Sequence, residues 1–397
     1  MKEKGGYSTA VFGKWHMAGL GVYPGMKPKE AGFDLFLGNL HGGLATYWDY
    51  DYHIQDEATP PDHFRTERPP VRSLPGIAQT TYAPVAKAAD AIAWITEQEK
   101  KHPDKPWFVW LAFNMAHISG NQDPNPMCVP NIDTLDEVSR KEMVACGGKF
   151  GSAIVGSCSS EALMRAMTNS MDTVIRKVLD VVDALDRNTY VIYLGDNGTW
   201  MFGPKREFID NMYITRRGRS KGTAYESGVR VAMTIRGPGI KPGSHSDEPV
   251  HCVDLFATIL ELAGLEVPKT VPNRNGDGTV AVDSVSLVPI LFKGASGLRD
   301  PNQGYLMSET INPVMDNLRQ VGVRNAKYKL ICSESAEAAN CVFYNLIDDP
   351  LEEYPLAKPK SCEKYKNGSW TPAVPEWHFC HLQEIIVKES FFAPAKR

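Results

Sequence analysis

Two short acidic and basic clusters in this chain have the residue types that hydrolytic chemistry on an anion needs. The segment 190–198 reads YVIYLGDNG, so an apolar run delivers Asp196 and Asn197 to a glycine-lined turn. A carboxylate beside a carboxamide oxygen suits a hard divalent cation such as calcium or magnesium. A plain Asp-Asn-Gly turn would read the same way. The segment 12–16 reads FGKWH. On an extended chain Lys14 and His16 point to the same side, which suits an anionic group. A surface lysine and a half-buried histidine are the alternative. His117 follows the apolar run of WFVWLAFNMAH, where a hydrogen-bonded structural histidine is equally at home. Lys221 lies in KGTAYESGVRV, ahead of a strand-like run, with Glu226 and Arg230 spaced for a structural ion pair.

The elements that must hold these residues alternate along the chain. Residues 7–12 read as a short strand, 82–101 as a helix and 106–113 as a strand buried on both faces. Residues 160–186 carry the strongest helical stripe, with Met167, Met171, Val174, Val178, Val182 and Leu185 on one face. A second buried strand is expected at 189–194, another strand at 229–235 and a helix at 253–264. This alternation predicts an α/β layer with a largely parallel sheet. Ligands in such sheets bind beyond the carboxyl ends of the strands, where His117 and Asp196 fall. Residues 17–75, rich in glycine, proline and aromatics, read as long functional loops with a few short elements. Beyond about residue 300, short strands at 304–308, 321–324, 327–332 and 342–346 predict a small antiparallel subdomain. The expected division is therefore 1–295 for the α/β domain and 296–397 for the C-terminal subdomain. The pattern gives no reading of 355–397.

Composition narrows the function classes. The chain has 397 residues, 43% hydrophobic and 23% charged, with a formal net charge of −4. A chain this apolar folds, and one this acidic does not bind nucleic acid through bulk charge. Eight cysteines contain no CxxC pair, which argues against zinc ribbons and thioredoxin-type redox chemistry. The even count permits disulfides and equally permits buried free thiols. No apolar run reaches the ~18 residues of a membrane span, and the first residues have no secretory pattern.

Taken in order, these segments resemble the sulfatase family. GYSTAVFGKWH is similar to that family's second signature, WFVWLAFNMAH to its histidine-bearing strand, YLGDNG to its metal motif and KGTAYESGVRV to its lysine motif. VDLFATILELAG, DSVSLVPIL, KYKLI and YNLIDDPLEEYPL extend the resemblance over most of residues 5–355. Ser227 stands where a glycine is usual, and Ala232 where a proline is. The resemblance implies an alkaline-phosphatase-like α/β fold with a small C-terminal antiparallel α+β subdomain, and sulfate ester hydrolysis. It implies that Asp196 and Asn197 ligate a divalent cation, usually calcium. It implies that Lys14 and Lys221 bind sulfate oxygens, His16 holds or deprotonates the nucleophile, and His117 contacts the sulfate near the leaving group. The substrate would be a sulfated small molecule or carbohydrate, and the location secreted, periplasmic or lysosomal.

One family feature is absent from the sequence. The nucleophile is a cysteine converted to formylglycine in a Cys-x-Pro-Ser-Arg motif, and no such motif occurs here. Cys128-Val129-Pro130 continues as Asn131-Ile132. In the family the nucleophile motif, and two further metal-binding aspartates, precede the FGKWH segment. The chain is therefore expected to be N-terminally incomplete and inactive alone. Three functions compete: a sulfatase with an incomplete start, a non-catalytic pseudoenzyme or fragment binding an anion or partner, and a phosphoesterase or phosphonate hydrolase of the same superfamily. The loop at 17–75 and the run Arg216-Arg217-Gly218-Arg219 are expected to shape the substrate pocket, and acidic residues at 49–57 are the candidates for extra metal ligands.

Overall fold

The computed structural model describes residues 1–17, 26–119, 127–185, 188–198, 219–273, 278–312, 317–390 and 392. Arg216 and Arg217 lie outside them. The chain divides into two compact units, Met1–Thr189 and Tyr190–Arg397.

The first unit is built on a five-stranded sheet. A one-turn helix α1 (Lys2–Gly5) leads into β1 (Ser8–Lys14), and β2 (Leu35–Asn39), β3 (Tyr52–Gln55) and β4 (Arg65–Glu67) follow. A small hairpin, β5 (Arg72–Leu74) and β6 (Ile77–Thr80), precedes helix α2 (Ala83–Lys101), strand β7 (Trp107–Ala112), and helices α3 (Glu137–Ala145) and α4 (Ser160–Leu185). The sheet order is β4-β3-β2-β1-β7. β1 is parallel to both β2 and β7, whereas β3 and β4 join antiparallel, so the sheet is mixed around a parallel centre. The few short elements expected within the loops at 17–75 are four strands. They are three to five residues long and interrupted by glycine and proline, too short for a period-two pattern to show.

Central β1 is buried along nearly its whole length because both faces are covered: Ala91 of α2 meets Ala10 and Phe12, Trp94 packs edge-on against the Phe12 ring, and Val11 packs with Trp15, Phe36 and Leu40. β7 is only half-buried, with Trp110 exposed, because it is the outer strand of the described sheet. The expectation of burial on both faces does not hold there. Helix α4 buries Ala162, Leu163, Met167, Val174, Val178 and Val182 along its apolar stripe.

The second unit begins with β8 (Val191–Leu194), helix α5 (Glu226–Val229) and β9 (Met233–Arg236). Helix α6 (Asp254–Leu262), strands β10 (Thr270–Pro272) and β11 (Thr279–Ala281), and helix α7 (Val288–Lys293) come next. β8 pairs antiparallel with β9, and its Tyr193 is exposed, so it is not the doubly buried strand the pattern suggested. The antiparallel C-terminal sheet is present as β12 (Leu306–Asn312), β13 (Leu318–Arg324), β14 (Tyr328–Ser333) and β15 (Cys341–Asn345). After helix α8 (Glu363–Lys366), helix α9 (Pro375–Glu389) lays Phe379, Leu382 and Ile386 on Val323, Leu330 and Phe343. Disulfides join Cys332 to Cys341 and Cys362 to Cys380 here, and Cys146 to Cys158 in the first unit; Cys128 and Cys252 are free thiols.

Candidate active site

In the first unit, three of the sequence-selected residues leave the same edge of the sheet. Lys14 is the last residue of β1, opposite Asn39 at the end of β2. The backbone N–H groups of Trp15 and His16 donate to the carbonyls of Asn39 and Leu40, each at 3.0 Å. His16 has a φ of 55°, so the chain has left the extended conformation, and Lys14 and His16 do not simply alternate on one face. The His16 ring instead lies over Gly42, where a Cβ would come within 2.4 Å of it. His117 follows the neighbouring parallel strand β7. Its N–H donates to the Asn114 carbonyl at 2.8 Å, and its Nδ1 lies 2.6 Å from the Ile118 carbonyl. The buried Tyr47 hydroxyl donates to the carbonyls of Asn114 and His117, at 3.0 and 2.7 Å, and so fixes that turn.

These strands approach closely because glycine allows it. A Cβ on Gly13, whose φ is +104°, would sit 2.0 Å from the Ala112 carbonyl oxygen. One on Gly38 would sit 2.0 Å from the Gly13 oxygen. Both glycines lie one residue before Lys14 or its partner Asn39 in register, so close backbone packing sets where the lysine emerges.

Beneath this edge lies a residue that pattern reading passed over. Lys87 of α2 is 1% exposed, and its Nζ donates to Asn39 Oδ1 at 2.9 Å and to Asn114 Oδ1. It thus ties the end of β2 to the turn that carries His117. Burial, with the charge of nearby Lys14 adding to it, pulls its pKa down to about 7. Its place midway between Ala83 and Ala91, two other core residues at four-residue spacing, was the available signal.

In the second unit, Asp196 and Asn197 follow β8 directly. Asp196 is exposed, and its Oδ1 accepts the Asn197 N–H at 2.8 Å. Gly198 donates to the Gly228 carbonyl at 2.9 Å, and any Cβ there would strike the Ser227 oxygen at 1.9 Å. Lys221 is half-buried in the turn running into α5. That turn is anchored by Glu226, which pairs with Lys329 at 2.8 Å and Arg324 at 3.4 Å, while Lys329 also reaches Glu352 at 2.9 Å. Burial alone would raise the Glu226 pKa, but the two cations outweigh it and hold the carboxyl below its ordinary value. Ser227 donates its hydroxyl to the Arg219 carbonyl.

Oxygen donors at Asp196 and Asn197 have the chemistry a hard cation prefers, but they are only part of a calcium shell of roughly six to eight oxygens. Among the described residues no group of three or more His, Cys, Asp or Glu is placed to hold a metal. Of the acidic residues at 49–57, Asp49 pairs with Arg68 at 2.9 Å and Asp56 with Arg65 at 2.8 Å. No helix among the described residues is long and apolar enough to cross a membrane.

The chain is similar to known sulfatases over most of its length. The rat arylsulfatase G is 26% identical over 393 residues, covering 90% of this chain and 66% of that protein. Human N-acetylgalactosamine-6-sulfatase is 25% identical over 311 residues, covering 74% of this chain and 47% of its own length. The chain thus spans less than two thirds of these relatives. Two solved structures share its fold: Ps i-CgsB, at a TM-score of 0.59 and 17% identity, covers 92% of this chain and 69% of its own. BT4656, solved with D-glucosamine-2-N,6-O-disulfate, has a TM-score of 0.55 and 19% identity, over 96% of this chain and 79% of its own. Residues 1–265 match the Sulfatase family model, which is more than half of the chain, and the chain belongs to the sulfatase family.

Proposed function

We propose that this chain forms the sulfate-binding part of a hydrolase acting on sulfate esters of carbohydrates. The observation that carries the reading is the placement of Lys14, His16 and His117 at the carboxyl ends of the adjacent parallel strands β1 and β7. Lys14 and Lys221 would bind sulfate oxygens and offset the negative charge that grows in the transition state. His16 and His117 would hold or move protons at the attacking and leaving oxygens. Asp196 and Asn197 would supply two ligands to a divalent cation, with calcium the proposed ion; when bound, it would polarise a sulfate oxygen. No residue of this sequence is assigned the attack, since the formylglycine motif of the family does not occur in it. The chain on its own should bind a sulfate ester without turning it over. The carbohydrate preference draws support from the hexosamine sulfates named for human N-acetylgalactosamine-6-sulfatase and BT4656.

The test is calorimetric titration with 4-nitrophenyl sulfate and 4-nitrophenyl phosphate, alongside a colorimetric turnover assay. Saturable binding that favours the sulfate, without nitrophenol release, is the expected result. Preference for the phosphate would move the chain to the phosphoesterase reading. Turnover abolished by His117→Ala would show that another group supplies the nucleophile.

A further inference from the structure

Next to the Lys14–His16 segment, the first unit holds a cavity of about 790 Å³. That is within the ~300–1,000 Å³ of small-molecule pockets. It opens at the end of β2 and along β3, and Asn39, the register partner of Lys14, is part of its wall. Its buried lining is polar and under-used. His53 is 1% exposed, yet neither ring nitrogen has a hydrogen-bond partner, and the hydroxyl of Tyr50, 5% exposed, has none either. Buried polar atoms are almost always paired. Two residues of one cavity wall, His53 and Tyr50, thus carry three orphan polar atoms, which a ligand's own donors and acceptors would satisfy once the side chains turn toward it.

The charge of the lining selects the ligand. The exposed rim carries Asp49, Asp51 and Glu67; Arg68 pairs with Asp49 at 2.9 Å and Arg65 approaches Glu67 at 3.9 Å. An additional sulfate would meet a rim whose three carboxylates outnumber these two arginines. Hydroxyl groups would instead find acceptors at the rim and both a donor and an acceptor at the floor. Burial holds the His53 pKa below its ordinary value, although Asp51 works against this, so the ring is neutral at pH 7 and presents one donor and one acceptor nitrogen. The Gly38 backbone lies close to that ring but outside hydrogen-bond geometry.

We propose that this cavity is a saccharide subsite for an unsulfated, hydroxyl-rich sugar unit attached to the sulfated one, with His53 and Tyr50 as its buried contacts and the Asp51–Glu67 rim excluding a second sulfate. The proposal rests on the sulfated-carbohydrate reading above and deepens it. It makes the chain selective for a lone sulfate beside a neutral sugar, with the cationic Lys14 segment and the acidic cavity sorting the two halves of one substrate.

The experiment is calorimetric titration of the full chain with N-acetyllactosamine, with its counterpart sulfated on one ring, with the form sulfated on both rings, and with inorganic sulfate. The one-ring sulfate should bind at least about tenfold more tightly than the two-ring form. Tyr50→Phe, which removes one hydroxyl, and His53→Gln should each weaken the one-ring sulfate by about tenfold, a shift typical of one lost buried hydrogen bond, and leave inorganic sulfate unchanged. Asp51→Asn with Glu67→Gln should bring the two-ring form to within about threefold of the one-ring form. Unchanged affinity in both Tyr50→Phe and His53→Gln, or tighter binding of the two-ring form by the parent chain, would overturn the subsite. If N-acetyllactosamine binds in a His53-dependent way while inorganic sulfate does not bind at all, the subsite stands and the sulfate-ester reading falls.

Discussion

Replacing Lys87 by methionine should change how the fold responds to pH. The lysine is buried against two neutral amide oxygens, and its pKa falls from an ordinary 10.5 to about 7. Between those values the unfolded chain holds a proton that the folded chain has shed, so the wild-type protein gains stability as pH rises through the window. Below about pH 7 both states are protonated and the cost of the buried charge is present in full. At about 1.4 kcal/mol per pH unit, the window amounts to roughly 5 kcal/mol. The group is fully buried, so solvent screening does not reduce this. Methionine at 87 removes the titration and leaves Asn39 and Asn114 without their donor, a penalty that does not vary with pH. Urea unfolding of both proteins between pH 6 and pH 10, taken as a difference, cancels every other titrating group. The difference should shift by several kcal/mol in favour of the wild type between pH 7 and pH 10. A difference constant to within about 0.5 kcal/mol would refute a buried lysine poised near neutrality, and with it the tie between the ends of β2 and β7.

Gly38→Ala should destabilise the first unit by about 3 kcal/mol, because its Cβ would lie 2.0 Å from the Gly13 oxygen; an unchanged thermal melt would mean β1 and β2 separate at little cost. Calcium should bind weakly, with a Kd of roughly millimolar, and Asp196→Asn should abolish it; tight stoichiometric binding in calorimetry would reveal ligands beyond Asp196 and Asn197. Replacing Cys362 and Cys380 together by alanine should cost about 2–4 kcal/mol and loosen α9 from β13 and β14, read as faster amide exchange in α9. Equal exchange in both proteins would show that the packing of Phe379, Leu382 and Ile386 alone holds the helix.

Where the sequence carried a long periodic signal, the structure followed it. The stripe from Met167 to Val182 became α4, and the runs beyond residue 300 became the antiparallel sheet β12–β15. The short elements expected within 17–75 could not be placed as strands β2 to β5, because each is only three to five residues long and pairing with neighbouring strands rather than local propensity makes it a strand. Helix α9 was missed because its apolar residues are spread among Trp377, His378, His381 and Gln383. At the candidate site, the positions of Lys14, His117 and Asp196 at strand ends were legible. The turn of the backbone at His16 was not, since a positive φ at a non-glycine residue depends on the hydrogen bond its N–H makes to Leu40. Lys87 and His53 were not legible as buried polar residues, because their burial exists only once α2 and β3 have docked.

The most direct check of the central claim is the affinity of the chain for inorganic sulfate, measured by calorimetry near pH 7. One saturable site is expected, weakened about tenfold or more by Lys14→Met and by Lys221→Met, and unaffected by Lys105→Met, an exposed lysine just before β7. Absence of saturable binding, or the same loss in Lys105→Met as in Lys14→Met, would contradict the assignment of these lysines to a sulfate site.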